Sequence, residues 1–88
     1  MKFSVIIPVY NRPEELRELL QSLSKQHYDD LEVVVIEDGS SVGSSHVINS
    51  FSSILELRYI VQENAGQGFA RNKGMKSATG DFFVILDS

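Results

Sequence analysis

The sequence predicts an α/β fold, a Rossmann-like open sheet of parallel strands with helices on both faces. Three apolar segments rich in β-branched residues each end abruptly on polar residues, and they are Phe3–Val9, Leu31–Ile36 and Phe82–Leu86. Short apolar runs of this kind are typical of strands buried on both faces. Helical patterns separate the runs, and strands that alternate with helices favour a parallel sheet.

The first strand and the first helix have the clearest signals. The strand spans about Phe3–Val9, and Asn11 is predicted to cap a helix that has Pro13 in its first turn and ends near Lys25. Leucines recur in that helix at the spacing of one face, and they are Leu16, Leu19, Leu20 and Leu23. The helix is therefore expected to bury this stripe against the sheet.

The rest of the chain continues the alternation. A second strand is predicted at about Glu32–Glu37, followed across a Gly- and Ser-rich loop by a weaker helix near Ser45–Phe51. A third strand follows at about Glu56–Val61, and a third helix at about Gln67–Lys76. The fourth strand spans about Asp81–Leu86.

Right-handed crossovers between parallel strands restrict the topology. The strand order 3-2-1-4 places the first two helices on one face and the third helix on the other. The winding reverses between strands one and four, and ligands of open α/β sheets bind at such a switch point, beyond the carboxyl ends of the strands. Tyr10, Asp38 and Asp87 follow three of these strands, so we expect them to converge on one crevice that binds a small molecule.

Composition excludes several classes of protein. The chain has 88 residues, enough for one small domain, and its net charge of −4 argues against a nucleic-acid partner. It contains no cysteine, and no apolar run approaches the ~18 residues of a membrane span. The loop after strand one has no glycine, which argues against a dinucleotide-binding dehydrogenase. We expect a cytoplasmic protein or, in a longer form, a membrane-associated one.

Two aspartates at strand ends are candidate ligand-binding residues. Asp38 precedes Gly39-Ser40 and is either a turn aspartate that bonds its own backbone or a carboxylate that accepts a ribose hydroxyl or a base N–H. Asp87 is either the polar end of a strand or a carboxylate ligand for Mg²⁺ or Mn²⁺. Glu37 is interpreted as a neighbouring solvated or turn-supporting acid.

The loop and helix after strand three hold the densest cluster of glycine and polar residues. Gly66 and Gly68 permit close approach of the backbone, and Arg71 is either a partner for a diphosphate or carboxylate, or an ordinary surface arginine. A stripe of small residues, Ala70, Gly74 and Ala78, is explained by close packing of the helix on the sheet. Tyr10 remains open between a packed aromatic at a strand end and a face for a nucleobase.

Taken together, four segments resemble the start of glycosyltransferase family 2, whose members have the GT-A fold. They are Val5–Arg12, Val34–Ser41 with its Glu-Asp-Gly-Ser turn, Asn64–Gly74, and Gly80–Ser88, which leads towards an Asp-x-Asp motif. Each segment is modest alone, but four in this order and spacing are specific, and together they cover essentially the whole chain. One departure is Glu37, where the family usually has aspartate.

The resemblance implies a nucleotide-sugar-dependent transferase, usually one that uses a UDP-sugar. Pro8 and Tyr10 would border the nucleobase, Asp38 would contact the base and Arg71 would lie near the nucleotide. Asp87 would begin the motif that binds the metal and the diphosphate. A divalent metal, Mn²⁺ or Mg²⁺, is expected for the complete enzyme, since a diphosphate brought to a chain of net charge −4 needs a cation.

By the same resemblance, residues 1–88 form the nucleotide-sugar-binding part of a GT-A domain, truncated before the acceptor-binding half. We therefore expect the 88-residue chain alone not to transfer sugar. Two alternatives stay open, a nucleotide-binding module without catalysis and a flavodoxin-like signalling or structural domain. The fourth strand is apolar on both faces and lies at an edge in the order 3-2-1-4, so a dimer or aggregate through that edge is also expected.

Overall fold

The computed structural model describes residues 1–26 and 30–86, and strands and helices alternate along the chain as predicted. They are β1 (Phe3–Val9), α1 (Pro13–Lys25), β2 (Leu31–Asp38), α2 (Ser45–Phe51), β3 (Glu56–Gln62), α3 (Gln67–Ser77) and β4 (Phe82–Ile85). The observed bounds lie within one residue of those predicted. The main difference is that Asp38 is the last residue of β2 rather than the first residue after it.

The four strands form one parallel sheet in the order β3-β2-β1-β4, which confirms the predicted topology. Val9 at the end of β1 lies opposite Glu37, and Asp38 at the end of β2 lies opposite Gln62. The carboxyl ends of the three strands from β3 to β1 therefore finish at nearly the same level. Within the described residues, the edge strand β4 pairs with the segment Phe3–Ile6 of β1.

Successive residues of the central strands point to opposite faces of the sheet, so their side chains build two separate cores. The core on the face of α1 and α2 contains Val5, Ile7, Val9, Leu16, Leu20, Val33, Val35, Val47, Ile48 and Phe51. The core on the face of α3 contains Ile6, Val34, Ile36 and Ala70. This division is what the period of two along a strand requires when both faces are covered, and it confirms that the third helix lies alone on its face.

Helix α3 approaches the sheet closely at Gly74, as the stripe of small residues predicts. A Cβ atom added there would lie 2.5 Å from Cγ2 of Ile6 and 2.6 Å from Cδ1 of Ile36. The absence of a side chain at Gly74 therefore sets how near the helix axis lies to β1 and β2.

A buried polar cluster fixes the opposite, amino-terminal end of the sheet. The Glu32 carboxylate is fully buried and accepts hydrogen bonds from the Ser4 hydroxyl (2.6 Å) and the Thr79 backbone N–H (2.8 Å). It also pairs with Nε of Arg58 at 3.0 Å. The backbone N–H of Gly80 donates to the same Ser4 hydroxyl at 2.9 Å, so the turn between α3 and β4 is held to β1 and β2.

Two further expectations concern membrane-spanning helices and an exposed apolar edge of the sheet. Within residues 1–26 and 30–86, no helix is both long and apolar enough to cross a bilayer. All four residues of β4 are exposed, with Ile85 at 40% and Phe83 at 46% marking the extremes. The predicted apolar edge is thus present, and association through it stays a prediction.

Candidate functional site

A cavity of about 290 Å³ lies beyond the carboxyl ends of β1 and β2, at the predicted switch point. This volume is at the lower end of the range for small-molecule pockets. Its described lining consists of Pro8, Val9, Tyr10, Arg12, Asp38, Asn64, Gly66 and Gln67. Three of the residues predicted for the site, Pro8, Tyr10 and Asp38, therefore meet in one cavity.

Asp38 joins the end of β2 to the loop after β3. The residue is only 5% exposed, and its Oδ1 accepts hydrogen bonds from Nε2 of Gln62 (2.9 Å) and the backbone N–H of Ala65 (2.9 Å). Its Oδ2 accepts one from the backbone N–H of Gly66 (3.0 Å). The donors come from a distant loop, so the interpretation of Asp38 as a turn aspartate bonding its own backbone is wrong.

These contacts also set the charge of Asp38. Burial alone raises the pKa of a carboxyl group, but the hydrogen bonds from Gln62, Ala65 and Gly66 more than offset that effect and hold the pKa of Asp38 below its usual range. The side chain is therefore an anionic acceptor at neutral pH. Within the described residues Oδ2 has one donor, which leaves it lone-pair capacity for a further hydrogen bond.

Gly39 lets the loop after β3 come close to the end of β2. Its φ of +68° lies in the left-handed region, and a Cβ atom there would lie 2.5 Å from the backbone nitrogen of Asn64. Asn64 in turn donates from Nδ2 to the backbone carbonyl of Asp38 at 3.2 Å. The Asp38-Gly39 turn and the loop at Asn64 thus form one wall of the cavity.

Tyr10 and Arg12 line the cavity after the end of β1 and form its rim, with Asn11 between them in the chain. Tyr10 is 53% exposed at the cavity, so the interpretation of Tyr10 as a packed aromatic at the strand end is wrong. Asn11 does not cap α1, because the cap position is Arg12 and no side chain caps it. Instead Asn11 has a φ of +52°, and its Oδ1 accepts hydrogen bonds from the backbone N–H of Val42 (3.0 Å) and from the Ser41 hydroxyl (3.3 Å).

Glu37 is connected to this rim through the Ser40 hydroxyl, which accepts a hydrogen bond from the backbone N–H of Asn11. It is 2% exposed, so the interpretation as a solvated acid is wrong, whereas the interpretation as a turn-supporting acid is right. Its Oε1 accepts a hydrogen bond from the Tyr59 hydroxyl at 2.8 Å, and its Oε2 accepts one from the Ser40 hydroxyl. Burial, and then the hydrogen bond to Glu37, raise the pKa of Tyr59, so its hydroxyl stays a neutral donor.

Of the two remaining predicted site residues, Arg71 is not among the described residues that line the cavity. Arg71 lies on α3, four residues after the cavity residue Gln67 and so one turn further along the same helix face. Asp87, predicted to bind both the nucleotide and the metal, lies outside the described residues. Across residues 1–26 and 30–86, no three His, Cys, Asp or Glu side chains lie close enough together to hold a metal ion.

Sequence reasoning missed several lining residues. Arg12 and Gln67 were not singled out, Asn64 appeared only as part of a motif, and Gly66 was noted only for the close backbone approach that it permits. The signal that could have found the last two is their position after a strand that neighbours the Asp38 strand. The pairing between Asp38 and Gln62 brings the segment after β3 beside Asp38.

The chain is similar to known proteins over nearly its whole length. A model of the family described as "Glycosyl transferase family 2" matches residues 4–88. Among curated proteins, "Glycosyltransferase GlyA" of Streptococcus pneumoniae is 41% identical over 88 residues, which is 99% of this chain and 13% of that protein. The chain therefore spans only a small part of the length of this relative.

Solved structures with the same fold include two complexes. Staphylococcus aureus TarS 1-349 in complex with UDP-GlcNAc superposes with a TM-score of 0.91 at 38% identity, over 99% of this chain and 26% of that chain. The mannosyltransferase PcManGT of Pyrobaculum calidifontis, in complex with GDP-Man and Mn²⁺, superposes with a TM-score of 0.89 at 32% identity, over 98% of this chain and 27% of that chain.

Proposed function

The chain belongs to glycosyl transferase family 2, and from that membership we propose that its cavity binds the nucleotide of a nucleotide-sugar donor, with a UDP-sugar as the expected donor. The reaction would be transfer of the sugar to an acceptor. The observation that carries the proposal is the Asp38 carboxylate, which is buried, anionic and held at the carboxyl end of a central strand with acceptor capacity remaining on Oδ2.

The polar groups of the cavity suit a nucleobase and its ribose. Oδ2 of Asp38 can accept a hydrogen bond from an N–H of the base, and a uracil ring offers such a donor. The half-exposed ring of Tyr10 provides an aromatic face at the same cavity, and Pro8 adds an apolar surface. The structure of TarS 1-349 in complex with UDP-GlcNAc supports the choice of a UDP-sugar for this chain.

Two arginines support binding of the diphosphate. Arg12 lines the cavity, and Arg71 lies one helical turn beyond Gln67. Neither guanidinium takes part in an ion pair within the part of the chain that the structure describes. A guanidinium without a carboxylate partner is suited to bind phosphate oxygens with two parallel hydrogen bonds.

A divalent metal is part of the proposal through Asp87 alone. The described residues contain no cluster of three His, Cys, Asp or Glu side chains that could hold a metal ion, and Asp87 remains the predicted ligand. The Mn²⁺ in the PcManGT complex supports a metal in this family. Such an ion, when bound, neutralises the negative charge of a leaving diphosphate.

The proposal assigns the donor side of the reaction to residues 1–88 and assigns no residue to the acceptor or to a general base. A nucleotide-binding module without catalysis remains the second candidate, because every feature described concerns binding. Release of UDP from a UDP-sugar that depends on an added acceptor would separate the enzyme from the module.

Titration calorimetry with UDP tests the binding site. We expect weak binding by the parent chain, slightly improved by Mn²⁺, and none by Asp38→Ala. The matched control is Asp81→Ala, since Asp81 is an exposed aspartate at the opposite end of the sheet that accepts a hydrogen bond from the backbone N–H of Lys2 (2.9 Å). Equal UDP affinity in the parent and in Asp38→Ala would refute the assignment of Asp38.

A further inference from the structure

Strand β2 carries a buried glutamate near each end, and the two have different surroundings. Glu32 at the amino-terminal end pairs with the cationic Arg58. Glu37 at the carboxyl end receives hydrogen bonds from two neutral hydroxyls in the described residues, those of Tyr59 and Ser40. Burying an acidic side chain costs free energy that hydrogen bonds only partly offset, so a glutamate kept at 2% exposure calls for an explanation.

A carboxylate can only accept hydrogen bonds, and this fixes the direction of both hydroxyls. Because the O–H of Ser40 donates to Glu37, the lone pairs of that hydroxyl remain for another donor. The backbone N–H of Asn11 uses them, with a nitrogen-to-oxygen distance of 2.8 Å. Glu37 is therefore connected to the end of β1 through a single side chain.

Asn11 sets the direction of the chain at the rim of the cavity. Its φ of +52° is unusual for a residue other than glycine, and such a conformation persists only where the surroundings hold it. Tyr10 and Arg12, its neighbours on either side, both line the cavity. The direction of the chain at Asn11 thus decides where the ring of Tyr10 and the guanidinium of Arg12 can reach.

We propose that Glu37, acting through the hydroxyl of Ser40, is a positioning residue that fixes the segment from Tyr10 to Arg12 at the rim of the nucleotide cavity. The proposal rests on the proposed function for the identity of the ligand. Glu37 and Ser40 would preorganise the rim, and a rim that is already ordered loses less conformational freedom when the nucleotide binds.

The chain offers a closely matched control at the other end of the sheet. The Ser4 hydroxyl donates to the buried Glu32 at 2.6 Å and accepts from the backbone N–H of Gly80 at 2.9 Å. This is the same arrangement of serine, buried glutamate and backbone amide that Ser40 forms with Glu37 and Asn11. Ser4→Ala and Ser40→Ala therefore each remove a hydroxyl that links a buried glutamate to a backbone amide, one far from the cavity and one beside it.

The test compares UDP affinity and the hydrogen-exchange rate of the Asn11 amide in the parent, Ser40→Ala, Ser40→Thr and Ser4→Ala. The loss of one net hydrogen bond predicts UDP binding about threefold to tenfold weaker in Ser40→Ala. We also expect faster exchange at Asn11 in that variant. Ser40→Thr keeps the hydroxyl and should restore both quantities, and Ser4→Ala should change neither.

Each outcome decides the inference. Equal UDP affinity in Ser40→Ala and Ser4→Ala, with Asn11 protected to the same extent in both, would overturn it and leave Glu37 with a structural role only. If the parent does not bind UDP, the proposed function fails, and the exchange rate at Asn11 in the unliganded protein still decides the positioning claim. Faster exchange in Ser40→Ala alone supports that claim, and unchanged exchange refutes it.

Discussion

At the scale of single residues, Asp38 and Gly39 together hold the loop after β3 at the cavity. The Asp38 carboxylate gathers the loop after β3 through the backbone amides of Ala65 and Gly66, and Gly39 leaves the space into which Asn64 fits. The carboxylate supplies the attraction, and the missing side chain permits the approach. One wall of the cavity depends on both.

A comparison of two glycines in the loop after β2 tests this arrangement. Gly39→Ala would place a Cβ 2.5 Å from the Asn64 backbone at a φ of +68°, so we expect a loss of about 1–3 kcal/mol in the free energy of unfolding. Gly43→Ala meets nothing within 4 Å and should change that free energy by less than about 0.5 kcal/mol. Denaturant titration measures both, and equal stabilities would contradict the account of Gly39.

The extent to which single residues could be predicted depends on where their partners lie in the sequence. Asp38 and Tyr10 were predicted for the site because each directly follows an apolar strand, which is a local signal. Asn11 was wrongly predicted to cap α1, since its partner Val42 lies 31 residues away and no local pattern reveals that contact. Glu37 was underestimated for the same reason, because its donor Tyr59 lies on a different strand.

At the scale of elements, Gly74 sets the distance between helix α3 and the sheet. Gly74 allows the helix to lie against Ile6 and Ile36, and the start of the same helix carries Gln67 to the cavity. The distance of the helix from the sheet therefore also bears on the position of Arg71 relative to the cavity.

Two glycines within α3 test this packing. Alanine favours a helix by about 1 kcal/mol over glycine, whereas overpacking a core costs about 1–3 kcal/mol. We expect Gly74→Ala to destabilise the protein, because the new Cβ would lie 2.5 Å from Ile6. Gly68→Ala meets nothing within 4 Å and should stabilise it slightly. Thermal unfolding measures both, and a higher melting temperature for Gly74→Ala would contradict the close approach.

Elements were predicted more completely than residues because periodicity is a property of the sequence itself. Strand and helix bounds lie within one residue of those expected, and the strand order follows from the handedness of crossovers. The cavity lining was predicted only in part. Its wall at Asn64 and Gly66 forms through contacts with Asp38, and the strength of such long-range contacts has no local signature.

Buried carboxylates at both ends of the sheet make the stability of the whole molecule depend on pH. Burial raises the pKa of Glu32, but hydrogen bonds from Ser4 and Thr79 and the charge of Arg58 lower it overall, as the loop contacts do for Asp38. A group with a lowered folded pKa stabilises the protein above its unfolded pKa, about 4, and loses that contribution as the pH falls through the folded value.

We therefore expect the free energy of unfolding to decrease as the pH falls below about 5, measured by denaturant titration at several pH values. Glu32→Gln should be less stable at neutral pH and should lose less stability on acidification, since the titrating group is gone. Parallel curves for the parent and Glu32→Gln would show that Glu32 does not contribute to the acid sensitivity.

Association is a second property of the whole molecule. Strand β4 is an exposed apolar edge, with Val84 at 42%, and such edges pair with other chains. We expect self-association at micromolar concentration in light scattering and less of it in Val84→Lys. The control is Val61→Lys on the opposite edge strand β3, where Val61 is 66% exposed. A monomeric parent, or equal association in both variants, would show that β4 does not mediate contact.

The most direct test of the central claim is to map UDP binding by the backbone amide resonances of the chain. We expect shifts at Tyr10, Ala65 and Gly66, because their amides adjoin the cavity at the carboxyl ends of β1 and β2. Amides at the opposite end of the sheet, those of Lys2 and Gly80, should not shift. Shifts confined to that opposite end, or none at saturating UDP, would contradict the claim that this cavity binds the donor nucleotide.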